Sequence, residues 1–176
     1  MNINKYTEKA REAVAAAIEL ARQSNNPQLE PEHLLVALAE QRDGIVPELL
    51  RKMNTDPSAI ARGARELAKK LPQAYGGSKP GMSPRFRLIT DQAQAEADRL
   101  KDEFVSTEHL FIALADEGGR SPSAQLLKQQ HISRDSILQA LTGVRGSQRV
   151  TSENPESTYQ ALERYGRDLT DLARKG

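Results

Sequence analysis

The chain has 176 residues, 38% of them hydrophobic and 28% charged, with 25 Lys and Arg against 24 Asp and Glu. A net charge of +1 supplies no field to recruit nucleic acid or an anionic membrane, and the lack of cysteine excludes disulfides, thiolate nucleophiles and cysteine-bound zinc. Aromatic residues are 4% with no Trp, so the core must come from Leu, Ile, Val and Ala, which suit closely packed helices.

The opening Met1-Asn2-Ile3-Asn4-Lys5-Tyr6 lacks the apolar run of a signal peptide, and no later stretch is long enough to span a membrane, which predicts a cytoplasmic protein. Thr7 can cap a first helix with Ala10, Val14, Ala17 and Ala21 on one face, ended by Asn25, Asn26 and Pro27. Glu30 and Pro31 open a second helix with Leu34, Leu35 and Leu38 buried, closed by Gly44. Val46, Leu49, Leu50 and Met53 mark a third. Asp56-Pro57 starts a fourth through Ile60, Ala64, Leu67 and Leu71, and Pro72 stops it.

Residues 72–84, rich in Gly, Pro and Ser, read as a mobile connector. Ser83-Pro84 then opens a fifth helix with Phe86, Ile89, Ala93, Ala97 and Leu100. Ser106 caps a sixth, ended by Gly118-Gly119. Ser121-Pro122 opens a seventh with Leu126 and Leu127, and Ser133 an eighth with Ile137, Leu141 and Val144. Residues 145–157 are polar and predict a flexible linker. A last amphipathic helix over 158–176 carries Tyr159, Leu162, Tyr165, Leu169 and Leu172.

The segment 29–39 returns as 105–115, 76 residues on, with six of eleven positions identical, among them Glu32-His33-Leu34 and Glu108-His109-Leu110. Ala17 and Ala21 match Ala93 and Ala97 at the same offset; Leu49 and Leu126, or Ile60 and Ile137, match at 77. The chain is an internal duplication. The prediction is an all-α fold of two four-helix repeats related by a pseudo-twofold axis: copy one over about 1–71, copy two over about 85–144.

Glu-His occurring twice raises a metal pair, since both types ligate zinc. Adjacent helical positions point to different sides, however, and no His-Glu-x-x-His spacing occurs. The structural alternative places Glu32 and Glu108 in the first helical turn, where the dipole favours a carboxylate, with His33 and His109 satisfying free backbone groups. Gly76-Gly77-Ser78-Lys79-Pro80-Gly81 lacks the register of a phosphate loop. Arg85, Arg87, Lys69 and Lys70 are interleaved with acids and read as a solvated helix face. No catalytic or metal residues are predicted, and binding is the expected role.

The duplicated Glu-His-Leu blocks, the opening Tyr6-Thr7-Glu8-Lys9-Ala10-Arg11-Glu12-Ala13 and the tail from Glu156 to Ala173 resemble the Clp amino-terminal repeat domain that heads AAA+ ATPases, and within that family the disaggregase branch. The resemblance implies a non-catalytic, monomeric substrate-engaging domain, tethered to a homohexameric ATPase that works with the DnaK system on unfolded or aggregated polypeptides. ATP and magnesium would belong to that ATPase, and the tail would lead into it. It implies substrate contacts at Thr7, Asp102 and Glu108, though Thr7 also suits an N-cap and Glu108 a dipole partner. The family's apolar groove would involve positions of the fifth helix that hold Gln92 and Glu96 here. Two other readings stand beside this one: an adaptor-docking or regulatory module, and a small helical enzyme or metal protein.

Overall fold

The computed structural model describes residues 1–77, 79–156 and 159. After a short 3-10 turn at Ile3–Lys5, the helices are α1 (Glu8–Gln23), α2 (Pro31–Glu40), α3 (Ile45–Lys52), α4 (Pro57–Ala68), α5 (Pro84–Arg99), α6 (Thr107–Ala115), α7 (Pro122–Gln129) and α8 (Arg134–Arg145). The fold is all-α, in two runs of four helices. The predicted caps at Thr7, Asp56, Ser83, Ser121 and Ser133 each accept a backbone N–H from the first turn of their helix. Helix α4 ends at Ala68 rather than Leu71, and α6 at Ala115, short of Gly118.

The helices that carry the repeated motif form the centre. In α6 every residue from Thr107 to Leu114 is buried, and α2 is buried at Pro31–Val36, Leu38 and Ala39. A helix apolar on all sides must be enclosed. Around α2 and α6, α1 and α5 present rows of alanine: Ala10, Ala13, Ala17 and Ala21 in one, Ala93 and Ala97 in the other, all buried. Small side chains let these helices lie close to the central pair.

The duplication extends to the backbone. Among the described residues, the non-glycine ones with positive φ are Asn25, Asn54, Lys101 and His131, at 56°, 58°, 59° and 60°. They form two matched pairs at the sequence offsets, each ending a helix of its repeat. Left-handed residues at helix ends turn the chain sharply, so the exposed His131 serves through its backbone.

The halves also exchange extended segments. Two short strands, β1 (Gln28–Leu29) and β2 (Gly81–Met82), pair in parallel, and the Ser83 N–H donates to the Leu29 carbonyl at 3.2 Å. At the matching place Thr7 N–H donates to the Val105 carbonyl at 2.9 Å and Val105 N–H to the Lys5 carbonyl at 2.8 Å. The stretch before each repeat's first helix therefore pairs with the other repeat. Within the connector, Pro72 to Gly77 and Lys79 are exposed, Tyr75 at 81%.

The stretch 145–157, whose polar composition predicts a linker, lies along the domain as far as it is described. Val150, Pro155, Glu156 and Tyr159 are buried, and the backbone of 150–153 bonds to both repeats. Most side chains here face water while the attachment is made by main-chain groups, so composition does not report it. The predicted last helix, apart from Tyr159, lies outside the described residues.

Candidate polypeptide-binding site

Each repeat builds a hydrogen-bonded triplet around its histidine. His33 Nδ1 accepts the Glu30 N–H at 2.9 Å and its Nε2 meets Asn26 Oδ1 at 2.9 Å. His109 Nδ1 accepts the Ser106 N–H at 2.8 Å and its Nε2 meets Asp102 Oδ2 at 2.7 Å. Acceptance at Nδ1 places the proton on Nε2 in both rings, and neither nitrogen is left free to ligate a metal. The histidine thus closes a capping box at its helix N-terminus. Burial holds His33 below its ordinary pKa, against the opposing pull of Glu32.

The glutamates of the motif are buried too, and each meets an arginine from another element. Glu32 pairs with Arg85, Nη2 to Oε1 at 3.0 Å, and the same guanidinium reaches Glu117 at 3.0 Å and Glu30 at 3.5 Å. The reading of Arg85 as part of a solvated face is corrected: it fastens α5 to the start of α2. Glu96, expected on a surface groove, is also buried, held by Arg99 at 2.7 Å and by Arg134 of α8. Gln92 is exposed beside Leu88 and Arg85, in a shallow depression of about 540 Å³.

At the other glutamate the structure gathers the three residues predicted to contact substrate. Thr7 and Glu108 are 0% exposed and Asp102 is 7%. Thr7 Oγ1 caps α1 by accepting the Ala10 N–H at 3.1 Å. Asp102 receives His109 on one oxygen and, on the other, Arg145 and the Val150 N–H at 2.8 Å. Burial alone would raise the Asp102 pKa; the bonds from His109, Val150 and Arg145 hold it below the usual carboxylate value. Ser106 donates to Glu108, and Arg145 Nη1 lies 3.6 Å from Glu108 Oε2, an ion pair too long for a hydrogen bond.

What covers these groups is residues 150–156 together with Tyr159. The Glu103 N–H donates to the Val150 carbonyl at 2.8 Å, the Glu8 N–H to the Glu153 carbonyl at 2.8 Å, and Arg11 meets the Glu153 carboxylate at 3.2 Å. Beneath, both Glu156 oxygens, Glu108 Oε2, Arg145 Nη1 and Tyr159 Oη find no hydrogen-bond partner among the described residues. Burial and the nearby Glu108 carboxylate raise the Glu156 pKa to about 7, against Lys9 and the Thr7 hydroxyl. A cover with so many unmet polar groups is a weak cover.

The sequence did not single out Arg145, Val150 or Glu156. Apart from the Gln148 carbonyl that Arg145 Nε reaches, their partners in the site lie between 37 and 149 residues away along the chain, so no local periodicity marks them. The conspicuous signal was the Glu108-His109 motif itself.

A profile described as the Clp repeat (R) N-terminal domain matches residues 5–130. Chaperone protein ClpB of Nitratidesulfovibrio vulgaris is 43% identical over 180 aligned residues, covering all of this chain and 21% of that protein. ClpB of Mycobacterium bovis is 42% identical over 171, covering 97% and 20%. The chain thus spans about a fifth of the length of the curated relatives it matches. Among solved structures, the Hsp104 N-terminal domain of Candida albicans superposes with a TM-score of 0.75 at 24% identity, covering 86% of this chain and 99% of that one. A ClpV N-domain in complex with a VipB peptide superposes at 0.60 and 18%, covering 80% and 86%. With a family profile over most of its length and the family's paired repeats in its fold, this chain belongs to the Clp repeat N-terminal domain family.

Proposed function

We propose that this domain engages unfolded or aggregated polypeptides weakly and delivers them to the ATPase ring of a disaggregase. The observation that carries the reading is the way residues 150–156 lie over Thr7, Asp102 and Glu108, with both backbone groups of Val150 bonded to the domain. Contacts made through the main chain take polypeptides with little regard for sequence, as a disaggregase requires. Similarity to ClpB along the whole chain supports the same role. On this reading the parent is a cytoplasmic homohexamer working with the DnaK system, ATP and magnesium are bound by domains other than this one, and no catalysis occurs here. Residues 1–144 are the working domain and 145–157 its tether.

A tethered holder gains effective concentration from the tether and must release readily, so a dissociation constant of about 1 μM or weaker is expected, about −8 kcal/mol. Titration calorimetry with a reduced, carboxymethylated protein tests this; nanomolar affinity contradicts it.

A second reading, docking of a specific adaptor, is favoured by the ClpV N-domain bound to a VipB peptide. One folded partner binding far more tightly than a panel of unfolded chains would select it.

A further inference from the structure

Between Arg145 and Pro155 the only buried residue is Val150; Gly146–Arg149 and Thr151–Asn154 all face water. This one side chain is flanked by an unusual density of main-chain bonds. Val150 N–H reaches Asp102, its carbonyl takes the Glu103 N–H, and the Glu153 carbonyl takes the free N–H of Glu8 at the start of α1. Arg11 then meets the Glu153 carboxylate. One apolar anchor, its backbone bonded through both N–H and C=O, and a charge three residues on are features by which a domain reads a peptide.

The first repeat supplies the contrast. Its exit segment passes the matching place, where Asn26 Nδ2 donates to the Pro72 carbonyl at 3.0 Å and the Ala74 N–H to Asn25 at 2.8 Å. It then leaves, and Arg85 completes the charge of Glu32 from within the repeats. Among the described residues Glu108 makes no ion pair with α5 or α1; Arg145 stands off at 3.6 Å, and over it lie Glu156 and Tyr159, whose carboxylate and hydroxyl find no hydrogen-bond partner there. In the second repeat Asp102 is satisfied by His109, Arg145 and Val150, whereas Glu108 Oε2, Arg145 Nη1 and the Glu156 oxygens are covered with no hydrogen-bond partner among the described residues.

We propose that the cleft between the N-terminus of α1 and residues 102–108 is a binding site for extended polypeptide, that residues 150–156 are its built-in occupant, and that an incoming chain displaces this strap. The inference rests on polypeptide engagement as the domain's role. The ligand class follows from the occupant: a segment held through both backbone groups of a small β-branched apolar residue, with a carboxylate three positions later. Ser83, Asn26 and Glu32, at the matching place around the first repeat, are buried like Thr7, Asp102 and Glu108, so what displacement frees is the acceptor on Asp102 that now takes the Val150 N–H, and the incoming chain takes that place. Because the strap is covalently attached, its effective concentration is high and only weak net binding is observed with the strap intact.

The test uses the full chain with Val150→Ser and, separately, Glu153→Arg, against a fluorescent peptide with the sequence of residues 147–156. Anisotropy is expected to show the peptide binding V150S about tenfold more tightly than the unmodified chain, since a buried valine side chain is lost from the competing strap. E153R, which alters a surface ion pair and no core contact, is expected to give a smaller gain of about threefold. Adding Arg11→Glu to V150S is expected to weaken peptide binding by about threefold, and a peptide carrying Glu153→Arg to restore it. Equal peptide affinity for the unmodified chain and both variants, or indifference to R11E, overturns the proposal. In parallel, calorimetry with the carboxymethylated unfolded protein separates the two levels. If it binds all variants alike, the role stands and the cleft falls; if it binds none while the peptide binds V150S in an Arg11-dependent way, the cleft stands and the wider role falls.

Discussion

Asn26 and Asp102 hold the same place in the two repeats, and each accepts the Nε2–H of its repeat's histidine, at 2.9 and 2.7 Å. The substitution of one for the other is matched by what lies beyond. The Asn26 amide donates to a carbonyl, that of Pro72; the Asp102 carboxylate, which can only accept, receives Arg145 and the Val150 N–H. Asp102→Asn is expected to keep the His109 bond but turn a donor toward two donors. The buried Arg145 would lose its nearest counter-charge, at about 3 kcal/mol. Urea unfolding should show the loss in midpoint with little change of slope.

Arg85 ties the second repeat to Glu32 of the first. Arg85→Ala leaves a buried carboxylate without that partner and is expected to cost about 2 kcal/mol, reduced because Arg85 itself is half-buried. Glu32→Gln in the R85A background should recover part of it. A double-mutant coupling near zero would show the pair to be incidental.

Glu156 gives the strap a pH dependence of definite sign. Its pKa rises from 4.5 to about 7 when buried against Glu108, with Lys9 and the Thr7 hydroxyl opposing and Tyr159 and Arg145 alongside. Below pH 4.5 both strapped and released forms are protonated and attachment is full. As pH rises through the window to about 7 the released form ionises first, so attachment weakens by about 3 kcal/mol by the upper end. Hydrogen exchange at the amides of Val150 and Glu103 should accelerate across that window beyond its intrinsic rise, and Glu156→Gln should flatten the excess. The global fold responds oppositely. Asp102 and His33 both have depressed values, so their contribution is lost as pH falls, from below about 6.5 for the imidazole and below about 4 for the carboxylate.

Thr7 separates capping from binding. Thr7→Ala removes the bond to the Ala10 N–H and is expected to lower stability by about 1 kcal/mol, while Thr7→Ser restores it. If a polypeptide touches the hydroxyl after displacement, T7S retains binding and T7A loses more affinity than its stability accounts for. Parallel titrations and thermal melts of the two variants decide this.

The helices were legible because they carry their own signals: apolar residues at helical spacing, a cap at most N-termini, and a proline opening α2, α4, α5 and α7. The duplication gave the pseudo-twofold, since Glu32-His33-Leu34 and Glu108-His109-Leu110 must pack alike. Hidden were contacts in which the partner is remote or is backbone. Arg85 reads like any lysine or arginine on a polar face until Glu32 is placed beside it, 53 residues away. Val150 stands alone among polar neighbours, and its attachment uses N–H and C=O groups that every residue possesses. Thr7, Asp102 and Glu108 were legible as residues of interest through family resemblance, but their burial was not, because the segment over them has the composition of a linker.

The exchanged segments at Lys5–Thr7 and Gly81–Ser83 bear on what half of this chain would do by itself. A lone repeat would carry an extended arm with no edge to pair and an edge with no arm, and both defects are met at once by a second copy of the same half. Two such halves would assemble as a symmetric dimer with swapped arms, which is the arrangement that residues 72–84 make permanent in one chain. The present asymmetry, Asn26 against Asp102 and an open exit against a strapped one, is of a kind that only a fused pair can acquire, because an exact homodimer must change both sites together.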